Sequence, residues 1–186
     1  MSVMKHDFAW KLKASAVLSG GLTLLTTLLF FLYPSDILES LAITFGTVFY
    51  HFAMRLLVGA IVPNLVQKGA EKDFWFRPKG FEQPLYRALR VKQWKKQLPT
   101  YAPESFDLSK HSIEEVIHTC CCSEAVHEWI MLLSFLPVLT IPVFGAAWVF
   151  WITSGLAALF DSCFVILQRY NRPRLIRILD KERKRL

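Results

Sequence analysis

The sequence predicts an all-α integral membrane protein, a helical bundle of about four transmembrane helices with a cytoplasmic interfacial segment. Three observations predict it. Of 186 residues, 53% are hydrophobic and 14% aromatic, a more apolar balance than a soluble domain of this length carries. Apolar stretches near the roughly 20 residues that a helix needs to cross a bilayer recur along the chain. The basic residues behind the net charge of +7 flank those stretches, a pattern of topology and lipid-surface charges. Residues 1–186 therefore read as a single membrane domain with no nucleic-acid partner.

Taken in order, Lys5, His6, Asp7, Lys11 and Lys13 precede an uncharged apolar run, 14–33. It is longer than a signal-peptide core and is followed by Tyr33-Pro34-Ser35-Asp36 instead of a small-residue cleavage site, so a retained first span is expected. The turn at Pro34 to Asp36 leads into a second apolar stretch, 37–66, interrupted by Glu39, His51, Arg55 and Pro63. His51 and Arg55 stand one helical turn apart. Ionisable groups at that depth are costly, which makes both of them candidate substrate-binding residues; equally, a tilted helix would let Arg55 snorkel to the cytoplasmic side and His51 bond a neighbouring helix.

Residues 67–123 turn polar and basic, with ten Lys and Arg against seven acids through Glu115. Phe74-Trp75-Phe76, Phe81 and Arg90-Val91-Lys92-Gln93-Trp94-Lys95-Lys96 interleave aromatics with cations, as suits a segment lying in the headgroup layer. Ser112 or His111 is placed to cap a helix running through Ile113, Val116 and Ile117. Two further spans are expected over 129–147, kinked or broken by Pro137 and Pro142, and over 148–167, with a bend near Gly145; a re-entrant segment is the rival reading of 129–147. A basic tail, 168–186, follows, with eight Lys and Arg from Arg169 to Arg185. The positive-inside tendency puts both termini and the 67–123 segment in the cytoplasm.

Cys120, Cys121 and Cys122 are consecutive and Cys163 lies in an apolar run, so no disulfide framework is indicated. The triplet lacks C-x-x-C spacing, and no metal is expected. At the mouth of the third span stands Glu124-Ala125-Val126-His127-Glu128-Trp129. Three residues apart on a helix, Glu124 and His127 share a face, and a carboxylate beside an imidazole can fix its tautomer and raise its basicity. That combination suits a general base acting on an alcohol. Arginines in the tail present forked donors for the phosphates of a donor such as acyl-CoA. Neither a nucleophile elbow, nor a Gly-rich phosphate loop, nor an H-x-x-x-x-D signature occurs, so direct transfer is the economical route, with Cys120, Cys121 and Cys122 leaving a covalent one open.

The stretch Gln168-Arg169-Tyr170-Asn171-Arg172-Pro173-Arg174-Leu175, the E-x-x-H of Glu124 and His127 ahead of a tryptophan, and the V-K-Q-W-K of Val91 to Lys95 together resemble one family. These are the glycosyl-4,4'-diaponeurosporenoate acyltransferases, small bacterial membrane proteins of the staphyloxanthin pathway. The resemblance spans roughly residues 75–179. It implies esterification of a glucose hydroxyl on a glycosylated carotenoid with a fatty acyl chain at the bacterial cell membrane. It singles out Glu124, His127, Arg169, Asn171, Arg172 and Arg174, with Tyr170 and Trp94 from the same motifs as donor- or substrate-binding candidates. No cofactor is implied beyond acyl-CoA as co-substrate, and the partner is a lipid or glycolipid acceptor. The chain departs from the pattern in Glu128 between His127 and Trp129, in the cysteine triplet and in its longer apolar first half. Two other readings fit the sequence: another small membrane lipid-modifying enzyme, a methyltransferase or reductase, and a non-enzymatic lipid-binding protein.

Overall fold

The computed structural model describes residues 7–95, 97–100 and 102–185, with the backbone alone for Asp7 and Phe8. Lys5, His6 and Lys96 lie outside the described residues. The fold is all-α: α1 (Asp7–Leu32), α2 (Asp36–Ile61), α3 (Glu82–Ala88), α4 (Val91–Trp94), α5 (Ile113–Leu133), α6 (Ile141–Phe144) and α7 (Ala147–Arg183), with short 3₁₀ turns between them and no strand among the described residues. Four stretches are long and apolar enough to cross a membrane: Ala9–Leu32, Asp36–Leu65, Ile113–Phe144 and Ala147–Arg183. The chain is a multi-pass membrane protein.

It divides into two compact units, Met1–Gly59 with Trp129–Phe160, and Ala60–Glu128 with Asp161–Leu186. The first unit is built inside out. Along α1, Ala16, Ser19 and Thr26 are buried while Val17, Leu24 and Phe31 are more than two-thirds exposed. Small and hydroxyl-bearing residues inside with large apolar ones outside is how helices pack where lipid, not water, is the solvent. Each buried hydroxyl needs an acceptor there, and most find the carbonyl one turn back: Ser19 on Ser15 at 2.6 Å, Thr26 on Leu22 at 2.8 Å, Thr47 on Ile43 and Ser134 on Ile130, both at 2.7 Å. At Gly20 a side chain would meet the Phe49 ring at 3.0 Å, so α1 and α2 approach there through the missing Cβ.

The third apolar stretch is broken by its prolines. Helix α5 ends at Leu133, a 3₁₀ turn (Leu136–Thr140) carries Pro137 in its first turn, and α6 carries Pro142 in its own. Pro137 cannot supply the N–H that the Leu133 carbonyl would receive in a continuing helix. The Tyr50 hydroxyl of α2 donates to that carbonyl instead, at 2.8 Å. A bend at Gly145 (φ +68°) and Ala146 (φ +31°) then turns the chain into α7.

In the second unit α5 begins at a reciprocal cap. Ser112 Oγ accepts from the Glu115 N–H at 3.2 Å, and Glu115 Oε2 from the Ser112 N–H at 2.8 Å. Its core includes a cluster of Ala70 with Phe76 and Cys121 and another of Tyr86 with Val91 and Tyr170. Cys120 and Cys121 are fully buried and fill space as small apolar groups. Helix α7 does not stop at the end of its apolar half. Its 37 residues run through Pro173 to Arg183, so the basic tail is helix up to that point. Arg, Leu, Ile and Lys favour helix on either side of Pro173, which itself lacks the N–H for one backbone bond.

Candidate active site

Within the second unit, α5 and α7 meet in an antiparallel register set by helical periodicity. On α7, Asp161, Phe164, Gln168 and Arg172 recur every three or four residues, and on α5 Cys120, Glu124 and His127 do the same. His127 therefore meets Asp161 and Phe164. Gln168 Nε2 reaches Ser123 Oγ at 3.2 Å, and Glu124 meets the arginines.

His127 Nδ1 lies 2.8 Å from Asp161 Oδ1, and its ring stacks on Phe164 with centroids 4.5 Å apart and planes 10° from parallel. The Asp161 side chain is 2% exposed and that of His127 is 21% exposed. A buried carboxylate on Nδ1 holds the proton there and leaves Nε2 as the basic nitrogen. The stacked phenyl ring fixes the plane of the imidazole. An imidazole held in this way between two helices can accept a proton at Nε2.

The expected partnership of Glu124 with His127 is corrected by this arrangement. Although the two share a face of α5, the Glu124 carboxylate is taken by cations of α7: Arg169 Nη1 donates to Oε1 at 2.5 Å, and Arg172 Nη1 donates to Oε2. Glu124 is 0% and Arg172 1% exposed, so each charge is compensated by the other instead of by water. Arg172 Nη2 donates to the Phe76 carbonyl. Arg169 uses all five N–H groups: Nε and Nη2 on Glu82 Oε1 at 2.9 and 2.6 Å, Nη1 also on the Trp75 carbonyl at 3.2 Å, and Nη2 also on the Arg77 carbonyl at 3.2 Å. Glu82 Oε2 accepts from the Tyr86 hydroxyl at 2.9 Å. Burial, reinforced by that carboxylate, pushes the Tyr86 phenol above the ordinary tyrosine range, so it stays a donor. Arg169 and Arg172 thus pin the 75–77 turn to α5.

The remaining motif residues form a second group. Arg174 Nη2 donates to the Tyr170 hydroxyl at 2.5 Å, with its guanidinium 3.9 Å from the centre of the same ring. Lys95 Nζ lies 5.0 Å from that ring and donates to Asn171 Oδ1 at 3.1 Å. Trp94 Nε1 donates to the Leu89 carbonyl at 2.8 Å. That indole is placed by the turn at Arg90, whose φ of +51° and ψ of +40° reverse the chain between α3 and α4. His51 and Arg55 belong to the first unit, where Arg55 Nη1 donates to the His51 carbonyl at 3.2 Å.

Sequence reasoning missed Asp161, Phe164 and Glu82. One signal for Asp161 was present: it is the sole acid in an otherwise uncharged apolar run from Trp148 to Leu167, and a lone carboxylate at such depth needs a partner. Among the described residues no group of three or more His, Cys, Asp and Glu is gathered as a metal site.

Residues 72–181 match a family model described as glycosyl-4,4'-diaponeurosporenoate acyltransferase. The matched stretch contains both members of the His127–Asp161 pair and the whole Glu82, Glu124, Arg169 and Arg172 network. No curated protein and no solved structure matches the chain.

Proposed function

The chain belongs to the glycosyl-4,4'-diaponeurosporenoate acyltransferase family and is an acyltransferase, and from that premise we propose that it esterifies a hydroxyl of a glycosylated carotenoid, or of another glycolipid, with a fatty acyl chain from acyl-CoA. The observation that carries this reading is the buried Asp161 carboxylate on Nδ1 of a partly exposed His127. An alcohol is a poor nucleophile until its proton is accepted as it attacks. His127 Nε2 removes that proton, the alkoxide oxygen bonds to the thioester carbonyl carbon, and the C–S bond breaks. The departing thiolate takes the proton back from Nε2, so ester and free thiol are the products and the imidazole is regenerated.

The Glu124, Arg169, Arg172 and Glu82 network serves this reading by rigidity. It fixes α5 against α7 one turn from the dyad, and a general base works only when held within hydrogen-bond reach of its substrate. The membrane context supplies the acceptor, since a glycolipid presents its hydroxyls at the headgroup level while its chain stays in the bilayer. We place the enzyme in the bacterial cell membrane with both termini and the 67–123 segment on the cytoplasmic side, where the basic residues concentrate and soluble thioesters are made.

Purified enzyme in detergent, given acyl-CoA and a glycosylated carotenoid, tests this directly. Wild type should release free thiol in step with ester, and His127→Ala should lose at least about a hundredfold in kcat while keeping the elution profile of the folded protein. Ester formation by His127→Ala at the wild-type rate would remove the dyad from the mechanism.

A further inference from the structure

We propose that Trp75 and Glu128 form a sugar subsite for the acceptor, in which the exposed indole face stacks on the pyranose ring and the carboxylate accepts from its hydroxyls. The inference rests on the acyl-transfer reading above and names the part of the acceptor that the protein reads. Trp75 is 60% exposed, yet both its ring and its backbone are fixed. The indole Nε1 donates to Glu128 Oε2 at 2.7 Å, and the Trp75 carbonyl accepts from Arg169 Nη1 at 3.2 Å. The next two carbonyls are held as well, that of Phe76 by Arg172 and that of Arg77 by Arg169. A ring held still before anything lies on it loses little freedom when a ligand does.

The chemistry of the pair fits a hexose. A pyranose has a face of C–H groups and an edge of hydroxyls. The face suits the π surface of an indole, and the edge suits an ionised carboxylate, which is a stronger acceptor than a neutral group. Glu128 spends Oε2 on the indole and keeps acceptor capacity on Oε1. The same carboxylate would repel the phosphates of an acyl donor, so the position suits the neutral acceptor.

Its place in the fold suits the reaction. Glu128 directly follows His127 on α5, so the two side chains leave the helix at neighbouring points about 100° apart. Trp75 is tied to Glu128 of α5 and to Arg169 of α7, and Arg169 in turn holds Glu124, one turn before His127. The indole therefore lies against the same two helices that hold the dyad, at the level of Glu124 to Glu128. A hexose on that ring with one edge on Glu128 turns a neighbouring hydroxyl toward His127 Nε2.

Equilibrium binding of radiolabelled dodecyl glucoside and dodecanol to full-length protein in lipid nanodiscs, counted above empty discs, tests the proposal without catalysis. Wild type should hold the glucoside about tenfold more tightly than dodecanol, which has the same chain and no sugar. Trp75→Ala should erase that difference, Trp75→Phe, which keeps a ring but no N–H, should fall between, and Glu128→Gln should also weaken the glucoside. Because the turn is held by its carbonyls, these side-chain changes leave the clamp on residues 75–77 in place. In assays with a glycosylated carotenoid, Trp75→Ala should raise KM for the glycoside about tenfold and leave KM for acyl-CoA as in wild type. Equal retention of glucoside and dodecanol by wild type would overturn the assignment. So would wild-type glucoside binding by Trp75→Ala, which would leave the ring as a headgroup-layer anchor only. If the glucoside binds through Trp75 but no donor yields an ester, the sugar site stands and the acyl-transfer reading falls.

Discussion

His127 finds its orienting carboxylate 34 residues along the chain, on α7, although Glu124 stands one turn away on its own helix. The reason is electrostatic: once Arg169 and Arg172 are on the facing helix, Glu124 is worth more to them as a buried counter-charge than to a neutral imidazole. The two carboxylates should therefore fail differently. Asp161→Asn frees the tautomer of His127 and should cut kcat about a hundredfold or more with the melting temperature close to wild type. Glu124→Gln leaves Arg172 buried with half a partner and should cost about 3–5 kcal/mol of stability, read as a lowered melting temperature in detergent before any kinetic effect is seen. The i, i+3 spacing of Glu124 and His127 was legible in the sequence, as was the clustering of arginines from Arg169 to Arg174. What each side chain pairs with was not, because that depends on the register between α5 and α7, which no local pattern encodes.

At the scale of elements, breaks and continuations follow from individual residues. Prolines 137 and 142 mark the end of α5 and the short turns after it, and the sequence anticipated both. It did not anticipate that Tyr50 would stand in for the N–H that Pro137 lacks, since that contact joins residues 83 apart. Tyr50→Phe leaves the Leu133 carbonyl without this donor and should destabilise by about 1–2 kcal/mol, measurable as a shift in thermal unfolding. Gly145, at φ +68° and ψ −107°, occupies a region that a Cβ disfavours. Gly145→Ala should cost about 1–3 kcal/mol, whereas Gly21→Ala, with open space beside it, should be neutral or slightly stabilising by helix propensity. The tail was expected beyond the last span, but its helical continuation through Pro173 was not. Gln168 and the arginines that end the apolar pattern are good helix formers, so hydropathy marks where the greasy stretch stops, not where the helix does.

For the whole molecule, composition alone made the membrane class legible, because bilayer-length apolar runs and their basic flanks depend on no tertiary contact. The inverted burial of α1, with Ser19 and Thr26 inside and Phe31 outside, is the three-dimensional counterpart of that composition. Both termini on the cytoplasmic side is the orientation proposed here. A fluorescent protein fused after Leu186 should then be bright and alkaline phosphatase fused at the same point inactive, and the reverse result would invert the topology. Central to the account is acyl transfer by the His127–Asp161 dyad onto a glycolipid hydroxyl. Its most direct measurement is mass spectrometry of lipid extracts from cells that make a glycosylated carotenoid and express wild type, His127→Ala or Asp161→Asn at matched membrane levels. The account predicts a species heavier than the glycoside by one fatty acyl group with wild type, and its loss or steep reduction with both variants. Equal amounts of that ester in all three would contradict it.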